Sequence, residues 1–302
     1  MAYVLGLAMG VAAAGHPNWT GAVAGLVVML LANLMAHFAD EYADVDTDSL
    51  TRRTAFTGGS GVLPAGELPP SVALRAARLC LGLAMVAALV FYAASILPAA
   101  CLALALVGVV GGWAYSMPPV ALERRGWGEV DNAALGGIAI PLMGFASQMG
   151  MVSGQAALSL LPMFGLVLFN LLGTHWPDRA ADVRVGRRSI VVVLGRKARR
   201  VHHALLAGIY LSVMLLAGWV LPPPVVIGIL VSLPIGLWAT HVFGRQESPV
   251  PSSMTMVVGF VGASIGWMVG AIGRSEPARE KPRILALPSR GPLIRRPFAL
   301  ES

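Results

Sequence analysis

Between residues 2 and 273 the chain is a succession of apolar runs, each about as long as a bilayer is thick and each closed by a turn. A helical crossing needs roughly 20 apolar residues. Runs at 2–15, 17–39, 72–94, 96–117, 131–151, 156–176, 200–221, 223–243 and 253–273 meet that measure, the first of them short. The breaks "GHPNW", "SILP", "MVSGQ" and "LPPPV" are turn signals. Only 12% of the residues are charged and mean hydropathy is +0.73, whereas a soluble domain carries roughly 25% charge. The expected fold is therefore an all-α polytopic membrane protein with about nine transmembrane helices. Residues 1–273 form the membrane domain, and 274–302 read as a basic, proline-containing tail expected to be disordered. The opening run lacks a basic n-region, so no cleavable signal is expected.

The net charge of +7 raises the question of nucleic acid, but its placement answers it. Arginines crowd the loops 40–71, 118–130 and 177–199, whereas the four tight turns carry no Lys or Arg. The positive-inside bias explains this and puts the long loops in the cytoplasm of a cell with an inner membrane. No nucleic-acid partner is expected. The tail conflicts with that topology, because nine crossings leave it outside although it holds seven basic residues. Cys80 and Cys101 lie in apolar runs and read as packing thiols.

The polar chemistry sits at two helix ends. "DEYADVDTD" (40–48) crowds five carboxylates into nine residues directly after crossing two. If that helix runs on to residue 48, Asn33, His37, Asp40, Glu41, Asp44 and Asp48 share an arc of about 100°, with Asp46 pointing away. Like charges at this spacing repel, so a cation is expected on the stripe. Hard divalent ions take carboxylate oxygens, and Mg²⁺ does so together with substrate phosphates. The second end, "THWPDRAADVRVGRRS" (174–189), places Asp178 and Asp182 four apart with His175 on their face. Pro177 is expected to kink the helix there. Arg187 and Arg188 follow a glycine and are candidates to clamp a phosphate.

These motifs resemble the UbiA superfamily of intramembrane prenyltransferases. The family's first acidic motif is matched by Glu41, Asp44 and Asp48, with Asp40 where Asn is usual. Its second is matched by Asp178, Asp182 and "GRRS" (186–189), with His175 where some relatives have Asn. "YSMPPVALERRGWGE" (115–129) resembles the family's Tyr-Ser/Thr-x-Pro-Pro stretch and its Gly-x-Gly-Glu continuation. "RTAFTGGSGVLPAGEL" (53–68) is most similar to the branch that prenylates 1,4-dihydroxy-2-naphthoate in menaquinone synthesis.

The resemblance implies helices around a central cavity and a Mg²⁺-dependent transfer of an isoprenyl group from a polyprenyl diphosphate to an aromatic acceptor. It implies two Mg²⁺ ions held by Glu41, Asp44 and Asp48 on one side and Asp178 and Asp182 on the other. Arg53, Arg187 and Arg188 would bind the diphosphate, and Tyr115 would touch it or shield an allylic cation. Asn33, His37, Asp40 and His175 complete the expected substrate contacts, the histidines as bases or as partners of carboxylates. Other acceptors, such as 4-hydroxybenzoate, homogentisate or a lipid alcohol, stay open. A membrane transporter is the rival from another class.

Overall fold

The computed structural model describes residues 1–50 and 59–275. Arg53, expected to bind diphosphate, lies outside them. The described elements are helical, and no β-sheet forms among these residues. In chain order they are α1 (Ala2–Ala14), α2 (Trp19–Ala43), α3 (Val45–Leu50), α4 (Ser71–Ala93) and α5 (Ala99–Ser116), then a 3₁₀ turn (Leu122–Arg125). There follow α6 (Gly128–Ala134), a π-helical turn (Leu135–Ala139), α7 (Ile140–Met149), α8 (Gly154–Ser159), α9 (Leu161–His175), α10 (Arg179–Arg184) and α11 (Ile190–Leu194). The last four are α12 (Ala198–Leu216), α13 (Pro223–Leu230), α14 (Leu233–Val242) and α15 (Val250–Ser275).

Seven helical segments among the described residues are long and apolar enough to cross a bilayer: α2, α4, α5, α6–α7, α8–α9, α13–α14 and α15. α1 is apolar but has only 13 residues, and α12 opens on Arg199, Arg200, His202 and His203. With these two, the helical passes follow the order and number read from the sequence. Local chemistry sets the ends. Asn18 caps α2 by accepting from the Gly21 N–H, and Ser153 caps α8 by accepting from Ala156 N–H. α7 stops at Gly150, whose φ of 76° suits glycine alone.

The outward surface is apolar, with Leu79, Val86, Leu215 and Ile227 exposed, as lipid solvation allows. Trp19, Trp127 and Trp219 are exposed near helix ends. Trp113, Trp176 and Trp267 also sit near helix ends but pack against buried clusters. The main core joins α1, α7, α9, α12, α13 and α15 through Leu5, Phe145, Leu166, Ile209, Ile229 and Phe260. Behind the end of α9 a ladder of rings forms. His202 stacks on Phe169 at 3.9 Å and on Phe243 at 4.1 Å, and Phe243 meets Trp176 at 5.0 Å. Arg179 at the start of α10 lies 4.3 Å over the Trp176 ring.

Small residues let backbones touch where no hydrophobic drive separates helices from lipid. α13 and α15 cross at Gly228 and Gly262, and a Cβ on Gly262 would stand 2.0 Å from the Gly228 carbonyl oxygen. Gly262→Ala is therefore expected to destabilise the fold by about 1–3 kcal/mol, read as a lower melting temperature in detergent. Gly82→Ala, where a Cβ meets nothing within 4 Å, should melt like the parent. Equal melting of the two variants would show that this crossing is looser than described.

Candidate active site

The helix end that carries the first carboxylates is nearly continuous. α2 stops at Ala43, Asp44 departs from helical geometry (φ −97°, ψ 6°), and α3 resumes at Val45. The ladder carries across, with Asp44 N–H to Asp40 O and Asp48 N–H to Asp44 O both at 2.8 Å. The stripe survives as a result. Asn33, His37, Asp40, Glu41, Asp44 and Asp48 all line one cavity of about 880 Å³, while Asp46 is exposed outside it.

The second helix end breaks rather than kinks. α9 ends at His175, Trp176–Asp178 form a turn, and α10 starts at Arg179. Pro177 has no N–H to continue the ladder. The break turns Asp178 and Asp182 into the same cavity, opposite the first stripe, with His175, Thr174 and Asn170. Tyr115 of α5 and Asp131, Asn132 and Gly136 from α6 and the π-helical turn complete the polar wall. Leu135, Ile140, Val167, Met256 and Phe260 supply an apolar wall, and a second apolar cleft of about 80 Å³ adjoins it through Asn33, Ala36, Gly112, Leu135 and Ile140.

Arg187 is the one Lys or Arg side chain among the described residues that lines the cavity. It bridges two segments, Nη1 to Asp44 Oδ2 at 2.5 Å and Nη2 to Glu123 Oε2 at 2.7 Å. Its charge is held on firmly, pushed up by Asp44 and Glu123 against the burial that opposes it. Arg188, expected beside it, is exposed and does not line the cavity. The Arg pair thus separates into one inward and one outward residue, as consecutive residues in an extended stretch tend to do.

Asp40, Glu41 and Asp182 have hydrogen-bond partners of their own. Asp40 Oδ1 accepts from Ser116 Oγ at 2.8 Å. Glu41 accepts from the Ser60 N–H at 2.7 Å and Ser60 Oγ at 2.9 Å. The neighbouring Gly59 has φ 53°, and a Cβ there would meet Asp48 Oδ2 at 2.2 Å, so only glycine lets this loop close over the carboxylates. Ser189 Oγ donates to Asp182 Oδ2 at 2.5 Å. His175 Nδ1 lies 2.9 Å from Glu129 Oε1, which also accepts from the Ile190 N–H at 2.6 Å. His175 is therefore tied to a buried carboxylate. Sequence reasoning had left that role open beside the role of base.

Three acids escaped the sequence reading of the site, Asp131 on the cavity wall and two buried glutamates. Glu123, in the 3₁₀ turn, is 2% exposed, and Glu129 is 1% exposed. The signal for Glu129 was present in "GWGE", whereas Glu123 follows no period and belongs to neither acidic stripe. One ligand oxygen each from Asp40, Asp44 and Glu123 lie within 4.8 Å of one another. Burial, with neighbouring carboxylates adding to it, pushes Glu123 up to about 9, Asp48 to about 7 and Asp178 to about 6. Asp182 is raised by burial as well. Asp44 Oδ1 and Glu123 Oε1 are buried with no hydrogen-bond partner among the described residues. Buried, unpartnered carboxyl oxygens of this kind suit a hard divalent cation.

The model of the UbiA prenyltransferase family matches residues 1–272. No curated protein matches the sequence. Among solved structures, a UbiA homolog from Aeropyrum pernix K1, without ligand, has TM-score 0.67 and 14% identity over 90% of this chain and 97% of that one. A UbiA homolog from Archaeoglobus fulgidus bound to DMAPP and Mg²⁺ has TM-score 0.63 and 18% identity, over 87% and 95%. A digeranylgeranylglyceryl phosphate synthase has TM-score 0.63 and 15% identity, over 90% and 93%. The shared architecture is that of the fold.

The raised carboxyls fix the sign of a pH effect. The folded, metal-free protein holds more protons than the unfolded chain between the ordinary value of 3.8 and about 7 for Asp48. Stability contributed by these groups is present at low pH and lost as pH rises through that window. Chelator-treated protein should melt at a higher temperature near about pH 5.5 than near about pH 8, and added Mg²⁺ should narrow the gap. A melting temperature that rises with pH over this range would contradict the burial described.

Proposed function

We propose a function from a plain premise: the chain belongs to the UbiA prenyltransferase family. It transfers an isoprenyl group from a polyprenyl diphosphate to an aromatic acceptor, 1,4-dihydroxy-2-naphthoate or a related quinone precursor. The observation that carries this reading is the meeting of the two aspartate-bearing helix ends across one cavity whose far wall is apolar. A diphosphate suits the carboxylate-lined part and a hydrocarbon tail suits the apolar wall. The Archaeoglobus relative, which holds DMAPP with Mg²⁺, supports the same donor class here.

Glu41, Asp44 and Asp48 on one side, and Asp178 and Asp182 on the other, would hold two Mg²⁺ ions. The orphaned oxygen of Asp44 and the raised carboxyls fit that assignment. When bound, Mg²⁺ supplies charge neutralisation for the departing diphosphate. The chain's own groups do the rest. Arg187 presents guanidinium hydrogens to phosphate oxygens. Ser116, Ser60 and Ser189 hold carboxylates in orientation. Glu129 fixes the ring of His175 at the cavity wall. The ester C–O bond breaks with its electron pair going to the diphosphate, which leaves an allylic cation. Tyr115 and the apolar wall shield that cation from water. A ring carbon of the acceptor then supplies the pair that forms the new C–C bond, and the ring loses a proton. His37 lines the cavity, has no hydrogen bond to a carboxylate among the described residues, and is the histidine we assign to receive it.

The carboxylate end faces the cytoplasm of an inner membrane, as the arginine-bearing loops favour. The naphthoate assignment rests on residues 53–68, of which 53–58 lie outside the described residues. A transporter reading is disfavoured because the acids gather at helix ends, whereas transporter sites lie near the midplane.

Membranes given Mg²⁺, labelled geranylgeranyl diphosphate and a panel of dihydroxynaphthoate, hydroxybenzoate and homogentisate should release diphosphate with one acceptor, dihydroxynaphthoate first. No release with any acceptor or with a lipid alcohol would overturn the reading. Asp44→Asn, Asp182→Asn and Arg187→Gln should each lower turnover by about 100-fold or more. Arg188→Gln should stay within about threefold, since an exposed cation contributes little.

A further inference from the structure

We infer that Glu123 is a ligand to a divalent cation that this protein binds before any diphosphate arrives, in a site completed by Asp40 and Asp44. The inference rests on the functional reading above but names a residue outside both aspartate motifs. It also gives the cation a place that no phosphate oxygen helps to build.

Three carboxylates meet here, and each is divided between two tasks. Asp40 Oδ1 is bound by Ser116, Asp44 Oδ2 by Arg187 Nη1, and Glu123 Oε2 by Arg187 Nη2. The remaining oxygens of Asp44 and Glu123, Oδ1 and Oε1, are buried with no hydrogen-bond partner among the described residues. Glu123 itself is 2% exposed, so water does not satisfy it. Ligand oxygens of the three residues fall within 4.8 Å of one another, a spacing that one ion can span. The partners behind them, Ser116 and Arg187, orient the set in the way outer-sphere groups orient a metal site.

Charge points the same way. Three carboxylates, once ionised around an ion, and one guanidinium sum to two negative charges in a buried pocket. A divalent ion neutralises that remainder, and a monovalent ion or a second arginine does not. Arg187 consequently has no need to leave when the ion enters. Its position between Asp44 and Glu123 keeps both carboxylates aimed. Magnesium sites that lean on substrate phosphates use one or two carboxylates. A third carboxylate removes that dependence, so the empty enzyme is expected to hold one ion.

Mn²⁺ is the probe, titrated into the detergent-solubilised full-length chain without prenyl diphosphate and followed by electron paramagnetic resonance. One saturable site is expected. Loss of an outer-sphere partner alone weakens a metal site about tenfold or more. Glu123→Gln should therefore weaken Mn²⁺ by at least that factor. Glu123→Asp, which keeps the charge beside Arg187 and the fold with it, should weaken it in the same direction. Asp46→Asn, at an exposed residue outside the cavity, should bind like the parent. Parental affinity in Glu123→Gln or Glu123→Asp would overturn the inference, and so would a parent that binds Mn²⁺ only after diphosphate is added. A parent that binds Mn²⁺ yet transfers no prenyl group would instead overturn the functional reading and leave Glu123 a ligand.

Discussion

Mutual repulsion among carboxylates is the constraint around which this site is arranged. Asp40, Glu41, Asp44, Asp48, Asp178 and Asp182 line one cavity, and Arg187 is the single Lys or Arg side chain on its described wall. Ionised acids in a low-dielectric pocket are costly unless something positive is shared among them. The structure answers in three ways. It lends Arg187 to two acids at once, it places serine hydroxyls on Asp40, Glu41 and Asp182, and burial raises Asp48, Asp178, Asp182 and Glu123. Carboxyls gathered in this way suit a hard divalent cation.

The helices exist to bring those two ends together. α2 delivers its stripe by running almost unbroken into α3, and α9 delivers its own by stopping at Trp176–Asp178. One end needs continuity and the other needs a break. The sequence carries both instructions, as a regular i, i+4 spacing in the first case and a proline in the second.

Legibility followed period and composition. Runs of about 20 apolar residues are forced by bilayer thickness, so the helical passes could be counted. The stripe from Asn33 to Asp48 could be drawn because a helix fixes the angle between residues. Residues placed by tertiary folding were harder to read. Glu123 sits in a short 3₁₀ turn after Pro118 and Pro119, where no period says which way a side chain points. Arg187 and Arg188 look alike in sequence, and only the path of the chain turns one inward. Trp113, Trp176 and Trp267 sit near helix ends, as interfacial residues do, but neighbouring helices claimed them. Helix-end position alone does not distinguish lipid from protein as the neighbour.

The stack behind α9 bears on how the second pair of aspartates is held. Phe169, His202, Phe243 and Trp176 lie ring against ring, and Arg179 rests on the last of them, one residue from Asp178. Stacked and tilted rings fill the space behind the turn without spending a directional bond on it. Asp178 and Asp182 therefore leave a turn propped from behind by an apolar buttress, which keeps the acid-bearing side of the chain free to face the cavity.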